Sequence, residues 1–116
     1  MEIVAKKYRL TYDAPTAVVG CHGSLFLNGN KEYEPLLNLL KEAVDQQSEK
    51  LTFDLRGLEF LNSSGINTIM QFVTYVADTK PTHFEFIVLA SESNLFHRKL
   101  SKNLQRLFAS LQVKFE

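Results

Sequence analysis

The 116-residue sequence predicts an α/β fold in a single domain, residues 1–116, with a mixed, mostly parallel sheet of four or five strands and helices packed against it. Three observations favour this class. Strand-like and helix-like segments alternate along the chain, which is typical of parallel strands joined by right-handed crossovers. Apolar residues make up 45% of the sequence, enough to build a hydrophobic core. No low-complexity segment, linker or internal repeat divides the chain.

Two strands are predicted to open the fold as a hairpin. Tyr8, Leu10 and Tyr12 alternate with polar residues, which is typical of a half-buried strand. A turn follows around Pro15, because proline fixes φ and removes a hydrogen-bond donor. Residues 17–21 are apolar and β-rich, so we expect a second strand that is buried on both faces.

A first helix is predicted after the Asn-Gly-Asn break at residues 28–30. Its apolar positions recur three and four residues apart, at Tyr33, Leu36, Leu37, Leu40, Ala43 and Val44. Pro35 fits only the first turn of a helix, so we expect the helix to begin near Glu32 and to end around residues 46–48. A short strand is expected over residues 51–55, where apolar and polar residues alternate.

The second helix has the clearest pattern of the chain. A single apolar stripe at helical period is formed by Ile66, Ile69, Met70, Val73, Val76 and Ala77. Asn62, Ser63 and Ser64 stand just ahead of the stripe and are favoured helix N-cap residues. Phe72 and Tyr75 lie off the stripe, so we expect them either at a protein interface or packed under the third helix.

The rest of the chain predicts one more strand and one more helix. The strand covers residues 84–89, and the helix is marked by apolar residues at Phe96, Leu100, Leu104, Leu107, Phe108 and Leu111. Residues 113–115 are a candidate final edge strand. The predicted order is therefore β-β-α-β-α-β-α, followed by a last β if residues 113–115 pair.

The charge balance argues against several classes of partner. Thirteen Lys and Arg residues oppose thirteen Asp and Glu residues, so the formal net charge is zero. A nucleic-acid binder or a protein held on an anionic membrane normally carries a basic excess, so we expect neither nucleic acid nor membrane as a partner. The first ten residues lack a signal-peptide pattern, and the single Cys21 suits a reducing compartment, so a cytoplasmic location is expected.

No catalytic or metal-binding pattern is visible. His22, His83 and His97 are far apart and lack partners at ligand spacing, so we expect no metal and interpret all three as surface or half-buried residues. Cys21 lies in an apolar strand and is expected to be a small core residue. The Ser63-Ser64 segment lacks the flanking glycines of a hydrolase nucleophile elbow. We therefore expect neither enzymatic activity nor a cofactor.

The most unusual segment leads from a strand into Ser63 and Ser64, here called the serine pair, at the start of the second helix. One interpretation is a plain helix cap. The other is a modification site, because a helix N-terminus carries free N–H groups and a positive dipole end that favour an anion. A phosphate on Ser64 would add roughly −1.5 to −2 charges there without opposing the fold.

Residues 54–66, Asp-Leu-Arg-Gly-Leu-Glu-Phe-Leu-Asn-Ser-Ser-Gly-Ile, resemble the signature segment of the STAS domain family, the fold of bacterial anti-sigma factor antagonists. Gly23-Ser24-Leu25 is similar to the Gly-Glu-Leu that follows the family's second strand, and the element order agrees. The resemblance extends over nearly the whole chain. It implies a single STAS-like domain with a role in signal transduction and transcription regulation.

The resemblance further implies a regulatory protein that binds a partner. In antagonists of this type, a partner anti-sigma factor that is itself a serine kinase phosphorylates the serine before the glycine, which is Ser64 here. The unmodified form binds the partner, the phosphorylated form releases it, and a serine phosphatase resets the cycle. The residues expected at the partner surface are Asn62, Ser63, Ser64, Gly65, Asn67 and Thr68.

Two positions depart from the family pattern, since Asn62 and Phe26 stand where the family usually has Asp. The segment Leu-Asn-Ser-Ser-Gly-Ile is also similar to the Leu-Asn-Thr-Ser-Ser-Ile of a smaller STAS-like group that regulates diguanylate cyclases. In that group the hydroxyl directly after the Asn is phosphorylated. This second match points to Ser63, which ranks behind Ser64 as the expected acceptor.

Two further hypotheses stay open. The loss of both acidic positions favours a STAS-like module that binds its partner constitutively, without phosphorylation. A small-ligand or nucleotide binder is the other, since some STAS domains hold such molecules. No Gly-rich phosphate-binding loop supports this last hypothesis, because the five glycines are scattered along the chain.

Overall fold

The computed structural model describes residues 1–116 and consists of three helices on a seven-stranded mixed sheet. The elements in chain order are β1 (Glu2–Val4), β2 (Tyr8–Asp13), β3 (Val18–Leu25), α1 (Gly29–Asp45), β4 (Lys50–Asp54), β5 (Leu58–Leu61), α2 (Ser63–Thr79), β6 (Glu85–Ala90), α3 (Leu95–Leu107) and β7 (Gln112–Phe115). The predicted α/β class is confirmed. None of the three helices is long and apolar enough to cross a membrane.

The strands follow the order β1-β2-β3-β4-β6-β7, and β5 pairs with β3 beside this path. The β1–β2 and β2–β3 pairs are antiparallel, whereas β3–β4, β3–β5, β4–β6 and β6–β7 are parallel. The mixed, mostly parallel sheet is thus confirmed, and so is the final edge strand, β7. Each crossover steps the same way along the sheet, so right-handed connections place α1, α2 and α3 on one face.

The sheet has seven strands rather than the four or five predicted, because two short strands lack a clear pattern. β1 has only three residues, of which one is half-buried. β5 was predicted as a loop, yet Leu58 and Leu61 are buried and the strand pairs with the second half of β3. Residues 18–20 of β3 pair with β4, and residues 23–25 pair with β5. The register of the β3–β5 pairing shifts at a bulge between Gly23 and Ser24.

α1 begins at Gly29, one turn earlier than predicted, so Pro35 lies inside the helix. The carboxylate of Glu32 accepts a hydrogen bond from the backbone N–H of Asn28 at 3.2 Å and supports the earlier start. Pro35 has no N–H to donate to the carbonyl of Lys31, and both residues are exposed, so water can bind that carbonyl. The first-turn position was predicted because the sequence does not show whether water can reach the carbonyl that proline leaves without a donor.

Aromatic side chains of α2 join the helix layer to the sheet. Phe72 is fully buried and packs edge-on against Phe53 of β4 and Phe86 of β6, with ring centres 5.6 and 5.8 Å apart. Burying such a ring contributes roughly 1.5–3 kcal/mol. Tyr75 is half-buried, and its hydroxyl donates to Asp45 at the end of α1 at 2.7 Å. Both are therefore packing residues, Phe72 through its contacts with the sheet and Tyr75 through its hydrogen bond to α1.

His97 is fully buried in α3, which corrects the expectation of a surface or half-buried residue. Its Nδ1 accepts the backbone N–H of Ser91 at 2.9 Å. The proton must then lie on Nε2, which donates to the carbonyl of Leu58 at 2.7 Å. Because the two partners lie on the loop after β6 and on β5, this imidazole ties three parts of the fold together. Cys21 is 2% exposed, as expected for a core residue.

Candidate functional site

The serine pair forms the first two residues of α2, where the chain leaves β5 at an edge of the sheet. Ser63 is exposed and Ser64 is half-buried. Neither hydroxyl makes a hydrogen bond with another protein group. The modification interpretation needs an accessible hydroxyl, and Ser63 meets that need better than Ser64.

The cap residue Asn62 fixes the start of α2 through both ends of its side-chain amide. Its Oδ1 accepts the N–H of Gly65 at 2.9 Å and the hydroxyl of Tyr33 at 2.7 Å. Its Nδ2 donates to the carbonyl of Leu27 at 2.7 Å. The predicted capping role is confirmed for Asn62, whereas the serine pair lies inside the first turn rather than ahead of it.

The hydrogen bond from Nδ2 of Asn62 to the carbonyl of Leu27 explains why this position holds Asn, whereas the STAS domain family usually has Asp there. An ionised Asp would still cap the helix, but it only accepts hydrogen bonds and would face the carbonyl of Leu27 without a hydrogen to offer. Tyr33 also accepts the N–H of Leu27, at 3.3 Å. Burial raises the pKa of Tyr33, so its hydroxyl remains a donor to Asn62 at neutral pH.

Gly65 allows α1 and α2 to approach each other closely. A Cβ on Gly65 would lie 2.8 Å from the hydroxyl oxygen of Tyr33 and 2.9 Å from a methyl carbon of Leu61. Real Cβ atoms do not come so close to buried neighbours. The glycine after the serine pair is thus required by packing, and α2 starts against the core.

The expected partner surface is only partly accessible. Asn67 is exposed, and its Nδ2 lies 3.5 Å from Oδ1 of Asn30 on α1. Gly65 is buried, and Thr68 is 4% exposed with its hydroxyl donating to the carbonyl of Ser64 at 2.9 Å. Gly65 and Thr68 are thus packed inside, and the exposed members of the expected partner surface are Ser63 and Asn67, with Asn62 and Ser64 half-buried.

The start of α2 suits an anion. The first N–H groups of a helix have no intrahelical partner, and the dipole places partial positive charge there. The first turn of α2 holds no acidic residue that would already compensate this charge. A phosphate on Ser63 would meet favourable electrostatics and no carboxylate within its own turn.

A row of three aromatic rings, which sequence analysis did not find, lies beside the serine pair. Phe26 and Phe60 stack with ring centres 4.8 Å apart and planes 14° apart. Phe60 and Phe96 continue the row at 6.2 Å and 23°. Phe26 is 55% exposed and Phe60 is 45% exposed. We call these three residues the aromatic strip; its members are far apart in sequence, so no local pattern indicated it.

The titratable groups of the chain bear on metal binding and on shifts in pKa. No group of three or more His, Cys, Asp or Glu side chains is placed to hold a metal ion. Burial alone would raise the pKa of Asp54, but the hydrogen bonds and charge of Arg56 outweigh it and hold that pKa below its usual value. Burial raises the pKa of the Cys21 thiol to about 12.

The sequence matches no protein-family model, and no curated protein is significantly similar to it in sequence. Solved structures are similar in fold. SiaC of Pseudomonas aeruginosa superposes with a TM-score of 0.69 at 10% identity, over 100% of this chain and 98% of that chain. A chain in the crystal structure of diguanylate cyclase SiaD in complex with its activator SiaC, from the same organism, gives 0.69 at 11% identity, over 100% and 99%.

An anti-sigma factor antagonist from Mycobacterium paratuberculosis superposes with a TM-score of 0.60 at 20% identity, over 95% of this chain and 90% of that chain. These superpositions cover nearly the whole chain. The similar structures include an anti-sigma factor antagonist and an activator of a diguanylate cyclase, the two groups that residues 54–66 resemble. The chain is therefore a STAS-like domain in its fold, with the serine pair at the start of α2 and Ser63 as its exposed member.

Proposed function

We propose that this chain is a regulatory protein that binds another protein through the start of α2 and is switched by phosphorylation of the serine pair. The observation that carries the proposal is an exposed, unbonded hydroxyl on Ser63, held next to the tightly fixed cap Asn62. A cytoplasmic location suits both the required ATP-dependent kinase and the free thiol of Cys21. The protein has no enzymatic role in this proposal.

We infer that Ser63 is the first acceptor and Ser64 the second. The family motif favours Ser64, but Ser64 is half-buried whereas Ser63 is exposed. A kinase must place the hydroxyl in its own active site, so accessibility favours Ser63. The match to the diguanylate-cyclase-regulating group points to the same residue.

Phosphorylation would change binding without unfolding the domain. The new group carries roughly −1.5 to −2 charges and three strong acceptor oxygens. At the N-terminus of α2 it would be stabilised by the helix dipole and by free N–H groups. A partner that packs on the unmodified surface would instead meet a solvated dianion. A serine phosphatase would restore the binding form.

Two kinds of partner follow from the proteins that share the fold. An anti-sigma factor or related serine kinase is the first. A diguanylate cyclase is the second, and the specific observation in its favour is the Asn62 cap, because the Asn-hydroxyl pair matches the group that regulates these cyclases. Co-expression with each kind of partner, followed by affinity purification of the tagged chain, would separate the two.

The phosphorylation proposal is tested by isolating the tagged chain from its native cells and separating phosphorylated forms by phosphate-affinity electrophoresis, with mass spectrometry to locate the phosphate. We expect one phosphate on Ser63, lost in Ser63→Ala and kept in Ser64→Ala. Ser48→Ala is the matched control, because Ser48 is exposed outside the site. Phosphate on neither serine, under conditions in which the partner is bound, would leave constitutive binding as the function.

A further inference from the structure

An exposed aromatic surface continues beyond the serine pair into a basic helix face. The aromatic strip ends at Phe96 in the first turn of α3, and the neighbouring Leu95 is 75% exposed. Exposed apolar side chains grouped in this way mark interaction surfaces in soluble proteins. The row begins close to the candidate site, because Phe26 directly precedes Leu27, whose carbonyl binds Asn62.

The outer face of α3 carries only positive charge. Leu95, Lys99, Lys102 and Arg106 follow one another at helical spacing, so they share one ridge, and all four are exposed. α3 contains no acidic residue, and none of the three cations lies within 4 Å of a carboxylate. We call Lys99, Lys102 and Arg106 the basic ridge. The overall net charge of zero makes this local, unpaired excess informative.

We propose that the aromatic strip and the basic ridge together bind an acidic amphipathic helix of a partner protein. Successive ring centres 4.8 and 6.2 Å apart match, in total, the rise of two helical turns, about 11 Å. A partner helix with apolar residues at i, i+3 or i+4, and i+7 would cover the strip, and acidic residues beside that stripe would meet the ridge. This inference rests on the proposed partner-binding function and specifies the chemistry of the partner.

The arrangement of the rings favours a protein segment over single-stranded nucleic acid. Bases bind to exposed aromatic residues by stacking on free ring faces. Phe60 already stacks with two neighbouring rings, Phe26 and Phe96, which leaves less of its faces for a base to stack on. Aliphatic side chains pack well against ring edges. Glu59, next to Phe60, and Glu92, just before α3, are the exposed carboxylates nearest in sequence to the strip and the ridge. Neither forms an ion pair, so the charge of the basic ridge stays unpaired.

The probe for the test is a synthetic helical peptide with leucines at i, i+3, i+4 and i+7 and glutamates on both flanks. A second peptide carries lysines in place of the glutamates. Binding to the full chain is measured by isothermal calorimetry and by backbone amide NMR shifts. We expect the glutamate peptide alone to bind, with shifts confined to the aromatic strip and α3.

Two variants with matched controls localise the binding. Phe60→Ser removes the middle ring and is expected to weaken binding at least about tenfold, as for a central aromatic anchor. Lys99→Glu reverses a charge on an exposed position and should weaken binding several-fold without affecting the fold. Val4→Ser and Lys50→Glu alter exposed residues on other strands, β1 and β4, and should leave binding unchanged.

Four results would overturn the inference: no binding of the glutamate peptide, equal binding of the lysine peptide, unchanged binding by Lys99→Glu, or preferential binding of anionic phosphatidylglycerol vesicles or an oligo-dT strand. Dimerisation of the free chain that is lost in Phe60→Ser would replace the partner with a second copy.

The peptide experiment uses unphosphorylated chain, so failure of the peptide to bind is separate from failure of the phosphorylation switch. Phosphate on Ser63 without peptide binding rejects only this inference, and peptide binding without phosphate rejects only the switch.

Discussion

The hydroxyl of Tyr33 on α1 donates a 2.7 Å hydrogen bond to Oδ1 of Asn62, the residue that caps α2. The same oxygen accepts the N–H of Gly65, so one amide oxygen joins two helices. Tyr33 is 1% exposed and Asn62 is half-buried, which limits the competition of water for this bond. The serine pair therefore lies on a helix end that is fixed to the core, and a charge placed there acts on a defined surface.

Asn62→Asp is expected to destabilise the protein by about 1–3 kcal/mol, the usual effect of leaving a buried polar group unpaired. The variant keeps the cap but loses the Nδ2 donor to the carbonyl of Leu27. Asn67→Asp is the control, because the same change falls on an exposed position of the same helix. Urea unfolding at neutral pH measures both, and equal midpoints for the two variants would contradict the role assigned to the amide.

Gly65→Ala should destabilise the protein by about 1–3 kcal/mol through overpacking. The nearest obstacle to the new Cβ is the hydroxyl oxygen of Tyr33 at 2.8 Å. Removing that oxygen in Tyr33→Phe should make the double variant more stable than the sum of the two single changes predicts. Strict additivity in this double-mutant cycle would show that the clash with Leu61, at 2.9 Å, dominates instead.

Local patterns predicted the long elements correctly, because burial imposes a regular period on them. The alternation in β2 and the stripe of α2 are of this kind, and the cap Asn62 follows from residue type. β5 escaped prediction because it pairs with the second half of β3, far away in sequence, and the register of that pairing shifts after Gly23. The φ of Gly23 is 89°, and a Cβ there would clash with the carbonyl oxygen of Lys7. Neither the bulge nor the pairing is a local property.

The candidate site shows the same division between local and long-range information. The serine pair was found because its residues are adjacent and resemble a known segment. The contacts that hold Asn62 come from Leu27 and Tyr33, 35 and 29 positions away in sequence. The aromatic strip brings together the loop after β3, β5 and α3, and the burial of Thr68 depends on how α2 packs. Such facts require the tertiary structure.

A negative charge on Ser63 should leave the fold intact or strengthen it. Ser63→Asp places the charge at the N-terminus of α2, where the dipole stabilises it by about 0.3–1 kcal/mol. Thr79→Asp places the same charge at the exposed C-terminal end of this helix and should destabilise by a similar amount. Thermal unfolding at low salt compares them. A Ser63→Asp variant that unfolds more easily than the wild type would oppose a phosphate-tolerant site.

His97→Leu is expected to destabilise the protein by about 1–3 kcal/mol, since it leaves the buried carbonyl of Leu58 without a partner and also removes the acceptor of the half-buried N–H of Ser91. His83→Leu is the matched control, because His83 is exposed. Urea unfolding quantifies the difference. If the free energy of unfolding fell by the same small amount in both variants, water would have replaced the imidazole, and His97 would not hold β5 against α3.

The thiol of Cys21 should be unreactive in the folded protein and should make stability fall at alkaline pH. Burial raises the pKa of Cys21 to about 12, whereas an unfolded thiol ionises near about 8.5. The unfolded state therefore releases a proton first, so the stabilisation is complete below about pH 8.5 and is lost as pH rises toward 12. Between these values the wild type should lose up to about 1.4 kcal/mol per pH unit more than Cys21→Ala. Urea unfolding at a series of pH values measures these slopes of stability against pH.

The reactivity of the thiol is a second measurement. A thiol reagent at pH 8 should modify the wild type only as fast as it unfolds. A Ser48→Cys thiol in the Cys21→Ala background, at an exposed position, should react at once. Parallel slopes, or rapid modification of native Cys21, would mean that solvent reaches the interior of β3.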